Sequence, residues 1–93
     1  MALEIRWTRI ALADLESAIE FISTDKPDAA KTIVNKVLDG VEQLKAFPES
    51  GRDGRVTGTR ELFVSTTPYF IVYKLKKNHL EILAILHSAR KWP

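Results

Sequence analysis

The chain contains no cysteine, no long hydrophobic run and no stretch of low-complexity sequence. Without cysteine it forms neither a disulfide nor a catalytic thiolate. Its apolar runs fall short of the roughly 18 residues of a membrane span, and the charge at Glu4 interrupts the apolar stretch that a secretory signal requires. We therefore predict a cytoplasmic protein with no membrane partner.

Glycine and proline are also scarce, with four of each in 93 residues, which excludes a long disordered linker. A hydrophobic content of 45% and a charged content of 28% are typical of a globular domain. We expect one domain over residues 1–93. The two histidines, His79 and His87, have no obvious supporting ligands, so we expect no metal and no cofactor.

The net charge of +2 hides an asymmetry between the two halves of the chain. Residues 1–50 carry six Lys and Arg against nine Asp and Glu, whereas residues 51–93 carry eight against three. The basic character therefore belongs to the second half. Such a surface is either an ordinary solvated face or a site that attracts phosphate or an acidic partner.

The N-terminal region predicts a strand followed by a helix. Residues 3–7 alternate apolar and charged side chains with the period of a half-buried strand. Thr8 is placed to cap a helix over residues 9–23, in which Leu12 and other apolar residues recur at spacings of three and four. This region therefore predicts one strand and one amphipathic helix.

A second helix follows after a short break. Asp25 is placed to cap it, and Pro27 falls in its first turn, where the missing N–H costs nothing. Apolar residues continue with helical spacing to Leu44, and Pro48 is the expected stop. Two helices joined by a short turn predict an antiparallel hairpin.

The second half predicts a loop and three strands. Residues 49–59 contain three glycines and are expected to form a loop. Residues 60–65, 69–75 and 80–87 have the composition of strands and are separated by short connections. The predicted fold class is therefore α+β, with an N-terminal strand, a helix hairpin on one face of the sheet and a three-stranded antiparallel meander.

These strands are apolar on both alternating sets of positions. By simple alternation, Leu80, Ile82, Ala84 and Leu86 share one face of the last strand, and Leu83 and Ile85 share the other. A helix hairpin covers only one face of a sheet. The second face therefore either meets a partner, which we favour, or curls around a small core of its own.

The order of these segments resembles the RelE/ParE superfamily, the toxins of bacterial type II toxin–antitoxin systems. The resemblance spans almost the whole chain and rests on ADLESAIEFI and PDAAKTIVNKVLDGVEQL in the helices, FPESGR after them, and TREL, PYFIVYKL and LEILAILH in the strands. It implies a growth-inhibiting toxin that is neutralised by an antitoxin, expected to be of the ribbon-helix-helix type and to bring the toxin to operator DNA. The antitoxin is expected on the outer surface of the helix hairpin and on the exposed sheet, at Phe70, Val72, Leu83 and Ile85.

The two branches of this superfamily act differently, so the fold leaves the target open. The RelE-like branch cleaves messenger RNA on the ribosome without a metal, which requires an acid, a base and cations around the phosphate. The candidate residues for this chemistry are Arg60, His87 and Arg90, with Tyr73 and Lys74 as candidate helpers. The structural alternative for Arg60 is an ion pair at the start of its strand, and that for His87 is a hydrogen bond to nearby backbone. The alternative for Arg90 is a solvated tail, and that for Tyr73 is packing in the core. His79 lies in a turn and is expected to have no role.

The ParE-like branch poisons DNA gyrase by binding and needs no acid–base set. The stretch ILAILHSARKWP resembles the last strand of that branch, although the aspartate that often follows the histidine is missing. We favour this branch because the C-terminal region has only one histidine and one arginine close together and no tyrosine. We expect Arg90, Lys91 and Trp92 to contact gyrase or its DNA. The alternatives are a ribosome-dependent endoribonuclease and a non-toxic protein-binding module.

Overall fold

The protein has two helices packed on a five-stranded mixed sheet, seen in a computed structural model that describes residues 3–89. Its elements are β1 (Glu4–Trp7), α1 (Arg9–Asp25), α2 (Pro27–Ala46), β2 (Arg52–Asp53), β3 (Arg60–Phe63), β4 (Tyr69–Leu75) and β5 (His79–His87). The predicted α+β class, helix hairpin and meander are confirmed. Within residues 3–89, no helix is long and apolar enough to cross a membrane.

The sheet has the strand order β1-β5-β4-β3-β2, so the first and last strands of the chain are neighbours. β1 pairs parallel with β5, whereas all other neighbours are antiparallel. The segment 49–59, predicted as a loop, contains the two-residue strand β2, which pairs with the start of β3. Sequence periodicity missed β2 because two residues are too few to show an alternation.

The predicted start of α1 is confirmed, whereas the predicted cap of α2 is wrong. The Thr8 Oγ1 accepts a hydrogen bond of 3.1 Å from the backbone N–H of Ala11. Asp25 is the last residue of α1, two residues later than predicted, and Lys26 precedes α2 without a side-chain cap. The Lys26 side chain has no acceptor atom with which to cap the helix, and Pro27 at the first helical position lacks an N–H that would have no partner within the helix.

A β-bulge in β5 changes the predicted faces of the last strand. Val72 pairs with Ala84 and Tyr73 pairs with Ile82, which leaves Leu83 without an opposite residue in β4. Beyond this extra residue the alternation inverts, so Ile85 joins Ile82 on the helix-covered face. The prediction that Ile85 shares the face of Leu83 is therefore wrong, because one inserted residue moves every later side chain to the other face.

The helix-covered face holds the main core. α2 contributes Val37, Val41 and Leu44, which pack with Tyr73 and Ile85 of the sheet. Burial of each large apolar side chain contributes about 1.5–3 kcal/mol, which stabilises the packing of the hairpin on the sheet. Leu12, placed on the apolar stripe of α1 by its spacing, is 45% exposed and lies outside this core.

The second face of the sheet carries a smaller core of its own. Phe70, Val72, Ala84 and Leu86 form this cluster and are only 0–6% exposed. The segment 49–59 lies against it, since the Arg55 guanidinium is 5.7 Å from the centre of the Phe70 ring. The expectation that the apolar side chains of this face are exposed for a partner is therefore wrong. The alternative, a small core formed within the chain itself, is correct.

Candidate functional site

Arg60 and Tyr73 lie side by side on β3 and β4 and together fix the connection that follows α2. The Arg60 Nη1 donates hydrogen bonds to the carbonyl oxygens of Gly51 at 2.8 Å and Glu49 at 3.3 Å. The Tyr73 hydroxyl donates to the carbonyl of Pro48 at 2.8 Å and accepts from the N–H of Gly51 at 2.9 Å. Both side chains therefore hold backbone groups of the α2–β2 connection.

Tyr73 is fully buried, and burial raises the pKa of its phenol while the Gly51 hydrogen bond opposes that shift. A raised pKa keeps the hydroxyl protonated at neutral pH. A buried, protonated phenol with both hydrogen-bonding capacities used by the backbone is a poor general base. The interpretation of Tyr73 as a core residue fits this position.

His87 ends β5, opposite Tyr69 on β4. Its ring meets the Tyr69 ring edge-on, with centroids 5.3 Å apart, and its Nδ1 accepts a hydrogen bond of 3.0 Å from the N–H of Ala89. The side chain is otherwise exposed. Among the described residues, His87 thus contacts an aromatic ring and a backbone N–H.

The structure does not bring Arg60 and His87 together. Arg60 lies opposite Tyr73 and His87 opposite Tyr69, on different sides of β4. The offset is about 13 Å along the strand and about 10 Å across it, so their Cα atoms are about 16 Å apart. Lys74 follows Tyr73 and therefore projects to the other face of the sheet.

The remaining candidates Arg90, Lys91 and Trp92 lie outside the described residues.

A groove of about 530 Å³ runs between α1 and the last residues of β5. Strand β1 pairs with β5 only as far as Ile82, so side chains bond the next stretch of the β5 edge. The Thr8 hydroxyl donates to the carbonyl of Ile82 at 2.9 Å, and the Asp14 carboxylate accepts from the N–H of Ile85 at 3.0 Å. Within residues 3–89, no strand pairs with this edge beyond Ile82.

The sequence pattern did not indicate this groove or the aromatic residue on its rim. Phe21 lines the groove together with His87 and is 71% exposed. The available signal was a large apolar residue outside the helical stripe that includes Ile19 and Ile22. Leu38, on the second helix, is also 44% exposed. The hairpin therefore presents apolar side chains to solvent as well as to the core.

Of the four side chains assigned to antitoxin binding, three are buried within the chain. Phe70 and Val72 are fully buried in the second-face core, and Ile85 is 3% exposed on the helix-covered face. Leu83, at the bulge, is partly exposed. The expectation of an open surface is thus wrong for these three.

No group of three or more metal-ligating side chains is close enough to hold an ion within residues 3–89.

Comparison with known proteins identifies the family. Residues 5–92 match the family described as the ParE toxin of the type II toxin–antitoxin system parDE. The chain is 40% identical to Y4kP of Sinorhizobium fredii, covering 96% of this chain and 92% of the relative, and 34% identical to Toxin RelE2 of Caulobacter vibrioides, covering 94% and 97%.

Solved structures agree with this assignment. A structure of the chromosomal ParDE toxin–antitoxin system from P. aeruginosa is 27% identical, covers 92% of this chain and 96% of its own, and superposes with a TM-score of 0.83. The E. coli DinJ–YafQ complex, at 15% identity, 96% coverage of each chain and a TM-score of 0.62, shares the fold alone. The chain therefore belongs to the ParE toxin family of type II toxin–antitoxin systems.

Proposed function

We propose that this ParE-family toxin inhibits growth by binding and poisoning DNA gyrase, and that a cognate antitoxin neutralises it. The observation that carries the proposal is the separation of Arg60 from His87 by the width of β4 and four residues along it. Cleavage of RNA needs an acid, a base and a phosphate ligand within hydrogen-bond reach of one phosphate. A toxin that acts by binding needs no such convergence.

The bonding of the candidate residues supports the same proposal. The Arg60 guanidinium is bonded to the carbonyl groups of Glu49 and Gly51, and the Tyr73 hydroxyl is bonded on both sides by the backbone. Their side chains thus have a structural use that accounts for their position. The match to the ParE family over residues 5–92 supports the gyrase-directed branch.

We infer that the antitoxin lays a segment into the groove between α1 and β5. In the described part of the chain, the side chains of Thr8 and Asp14, and no strand, bond the β5 edge at Ile82 and Ile85, so an added extended segment would compete with these side chains for the backbone groups there. Phe21, 71% exposed on the rim, supplies an apolar anchor. This placement moves the expected antitoxin contact from the buried Phe70 and Val72 to accessible residues.

The test of the proposed function measures supercoiling of relaxed plasmid by purified gyrase and ATP at increasing toxin concentration. A parallel reaction incubates the toxin with ribosome-bound messenger RNA. We expect supercoiling to stop, the RNA to stay intact, and addition of the antitoxin encoded beside the toxin gene to restore supercoiling. Normal supercoiling with cleaved RNA identifies an endoribonuclease, and the absence of both effects identifies a non-toxic binding module.

A further inference from the structure

A buried carboxylate organises the second face of the sheet near its β2 edge. The Glu61 side chain has no exposed surface. Its Oε2 accepts a hydrogen bond of 3.0 Å from the N–H of Arg55, and its Oε1 lies 3.3 Å from the Nη2 of Arg52 and 3.9 Å from the Nε of Arg55. A buried charge requires such partners, because an unpaired one is strongly destabilising. Glu61 therefore fixes where the two arginines lie.

The Arg52 guanidinium that Glu61 holds also lies over an exposed aromatic ring. Its Cζ is 4.7 Å from the centre of the Phe63 ring, and Phe63 stacks in turn on the buried Phe70, with centroids 5.1 Å apart and the planes 27° from parallel. Phe63 is 45% exposed, and the Arg52 side chain is 59% exposed. We call this pair the Arg52–Phe63 platform.

The platform continues onto an open stretch of strand edge. Strand β2 pairs only with Arg60 and Glu61, so within the described part of the chain no strand covers the outer edge of β3 at Phe63. A pocket of about 190 Å³ lies there between β3 and α2, and Phe63, Lys36 and Asp39 are among its lining residues. The platform thus combines an arginine, an aromatic ring and a small adjoining pocket.

We propose that the Arg52–Phe63 platform is the site through which the toxin contacts its protein target, and that it takes a carboxylate-bearing segment with an apolar side chain that packs on the exposed Phe63 ring. Arginine and aromatic side chains carry much of the energy of protein interfaces, and a rigid site loses little entropy on binding. The planar guanidinium of Arg52 matches a carboxylate. The proposal rests on the proposed function, in which that target is gyrase.

The charges at the platform favour a protein over nucleic acid. Among residues 3–89, Arg52 and Arg55 are offset by the buried Glu61, and Lys36 and Asp39 of the pocket offset each other. Asp53 alternates to the other face of the sheet, which leaves one net positive charge here. Binding to a phosphate backbone draws its affinity from several cations at once. One oriented guanidinium beside an exposed ring instead fits a single carboxylate and its apolar neighbour.

The experiment measures binding of the full-length toxin to purified gyrase by surface plasmon resonance, together with inhibition of supercoiling. The platform variants are Arg52→Ala, Arg52→Lys and Phe63→Ala. The matched controls are Arg6→Ala, an exposed arginine paired with Glu4, and Phe47→Ala, an exposed phenylalanine at the end of α2. Circular dichroism and thermal unfolding verify that each variant is folded, and Arg52→Lys, which keeps a cation beside the buried Glu61, covers the case in which an alanine variant is not.

We expect Arg52→Ala and Phe63→Ala each to weaken gyrase binding at least about tenfold, and the controls to stay within about twofold of the wild type. Arg52→Lys keeps the charge but loses the planar fork, so its affinity falls between those of the wild type and Arg52→Ala. Wild-type affinity in the folded platform variants overturns this inference alone. Absence of gyrase binding by the wild type overturns the proposed function and this inference together.

Discussion

Arg60 and His87 flank β4 on opposite sides and at opposite ends, with Arg60 paired to Tyr73 and His87 paired to Tyr69. Each is bonded to backbone near its own end of the sheet: Arg60 to the carbonyl of Gly51, and His87 to the N–H of Ala89. Their Cα atoms are about 16 Å apart by strand geometry. The two residues therefore have separate structural settings, and their substitution should have separate effects.

Replacement of His87 by alanine should leave both toxicity and stability nearly unchanged, because its contacts are an exposed hydrogen bond and one ring edge. Replacement of Arg60 by alanine should lower the free energy of unfolding by about 1–2 kcal/mol, through loss of its bonds to two carbonyl groups. Growth inhibition in cells and urea unfolding in vitro measure the two effects. Complete loss of toxicity in a stably folded His87→Ala protein would point to acid–base catalysis instead.

Replacement of Tyr73 by phenylalanine should lower the free energy of unfolding by about 2 kcal/mol, because the N–H of Gly51 and the carbonyl of Pro48 lose their partner. The raised pKa of the phenol adds a pH dependence. The folded state retains the proton more tightly, so its contribution is fully present below pH about 10 and is lost as the pH rises through the folded-state pKa.

Urea unfolding of the wild type and Tyr73→Phe between pH 7 and 11 measures this linkage. The wild type should lose stability at alkaline pH more steeply than the variant, since phenylalanine has no proton to lose. Parallel curves for the two proteins would show that Tyr73 titrates alike in the folded and unfolded states.

Replacement of Gly51 by alanine should be strongly destabilising, by about 2–3 kcal/mol. A Cβ at Gly51 would lie 2.6 Å from the Tyr73 hydroxyl and 3.0 Å from the carbonyl oxygen of Glu61, so the connection would have to move. Gly58 is the matched control: its φ of 86° disfavours alanine, but the nearest atom, Cε of Lys74, is 3.9 Å from the added Cβ.

Gly58→Ala should therefore cost only the backbone strain, about 1 kcal/mol. Thermal unfolding of the two variants under one buffer condition gives the comparison. Equal losses of stability in the two variants would mean that the contact of the added Cβ at position 51 with Tyr73 relaxes at no cost.

The sequence predicted those elements whose signals are local. Thr8 begins α1 as expected, because an N-cap depends only on its own neighbours. Strand β4 has its predicted bounds, 69–75, because a continuous apolar run between turn residues marks it. The interpretation of Tyr73 as core also agrees with its complete burial.

Features that depend on pairing between distant segments could not be predicted in the same way. The bulge at Leu83 arises from the register of β4 and β5, and no period within the strand reveals it. The small core around Phe70 is covered in part by the Arg55 side chain, which comes from a distant segment and which alternation cannot show. For the same reason the separation of Arg60 from His87 required the strand order.

Replacement of Phe21 by alanine should weaken antitoxin binding at least about tenfold while leaving gyrase inhibition intact. Phe21 is 71% exposed on the rim of the groove beside β5, so its loss removes an anchor and leaves the core unchanged. Phe47→Ala, at 67% exposure outside the groove, is the matched control and should bind the antitoxin normally. Isothermal titration of each toxin with the antitoxin encoded beside its gene measures the difference. Wild-type affinity of Phe21→Ala would exclude the groove as the antitoxin site.

Trapping of cleaved DNA tests most directly the proposal that the toxin poisons gyrase by binding. Gyrase, plasmid and purified toxin are incubated, the reaction is stopped with detergent, and protease treatment reveals any DNA that the enzyme held in a broken state. If the toxin poisons gyrase, linear plasmid increases with toxin, persists with His87→Ala and disappears when antitoxin is added first. Plasmid that stays intact at saturating toxin, while the same toxin cleaves ribosome-bound messenger RNA, would contradict it.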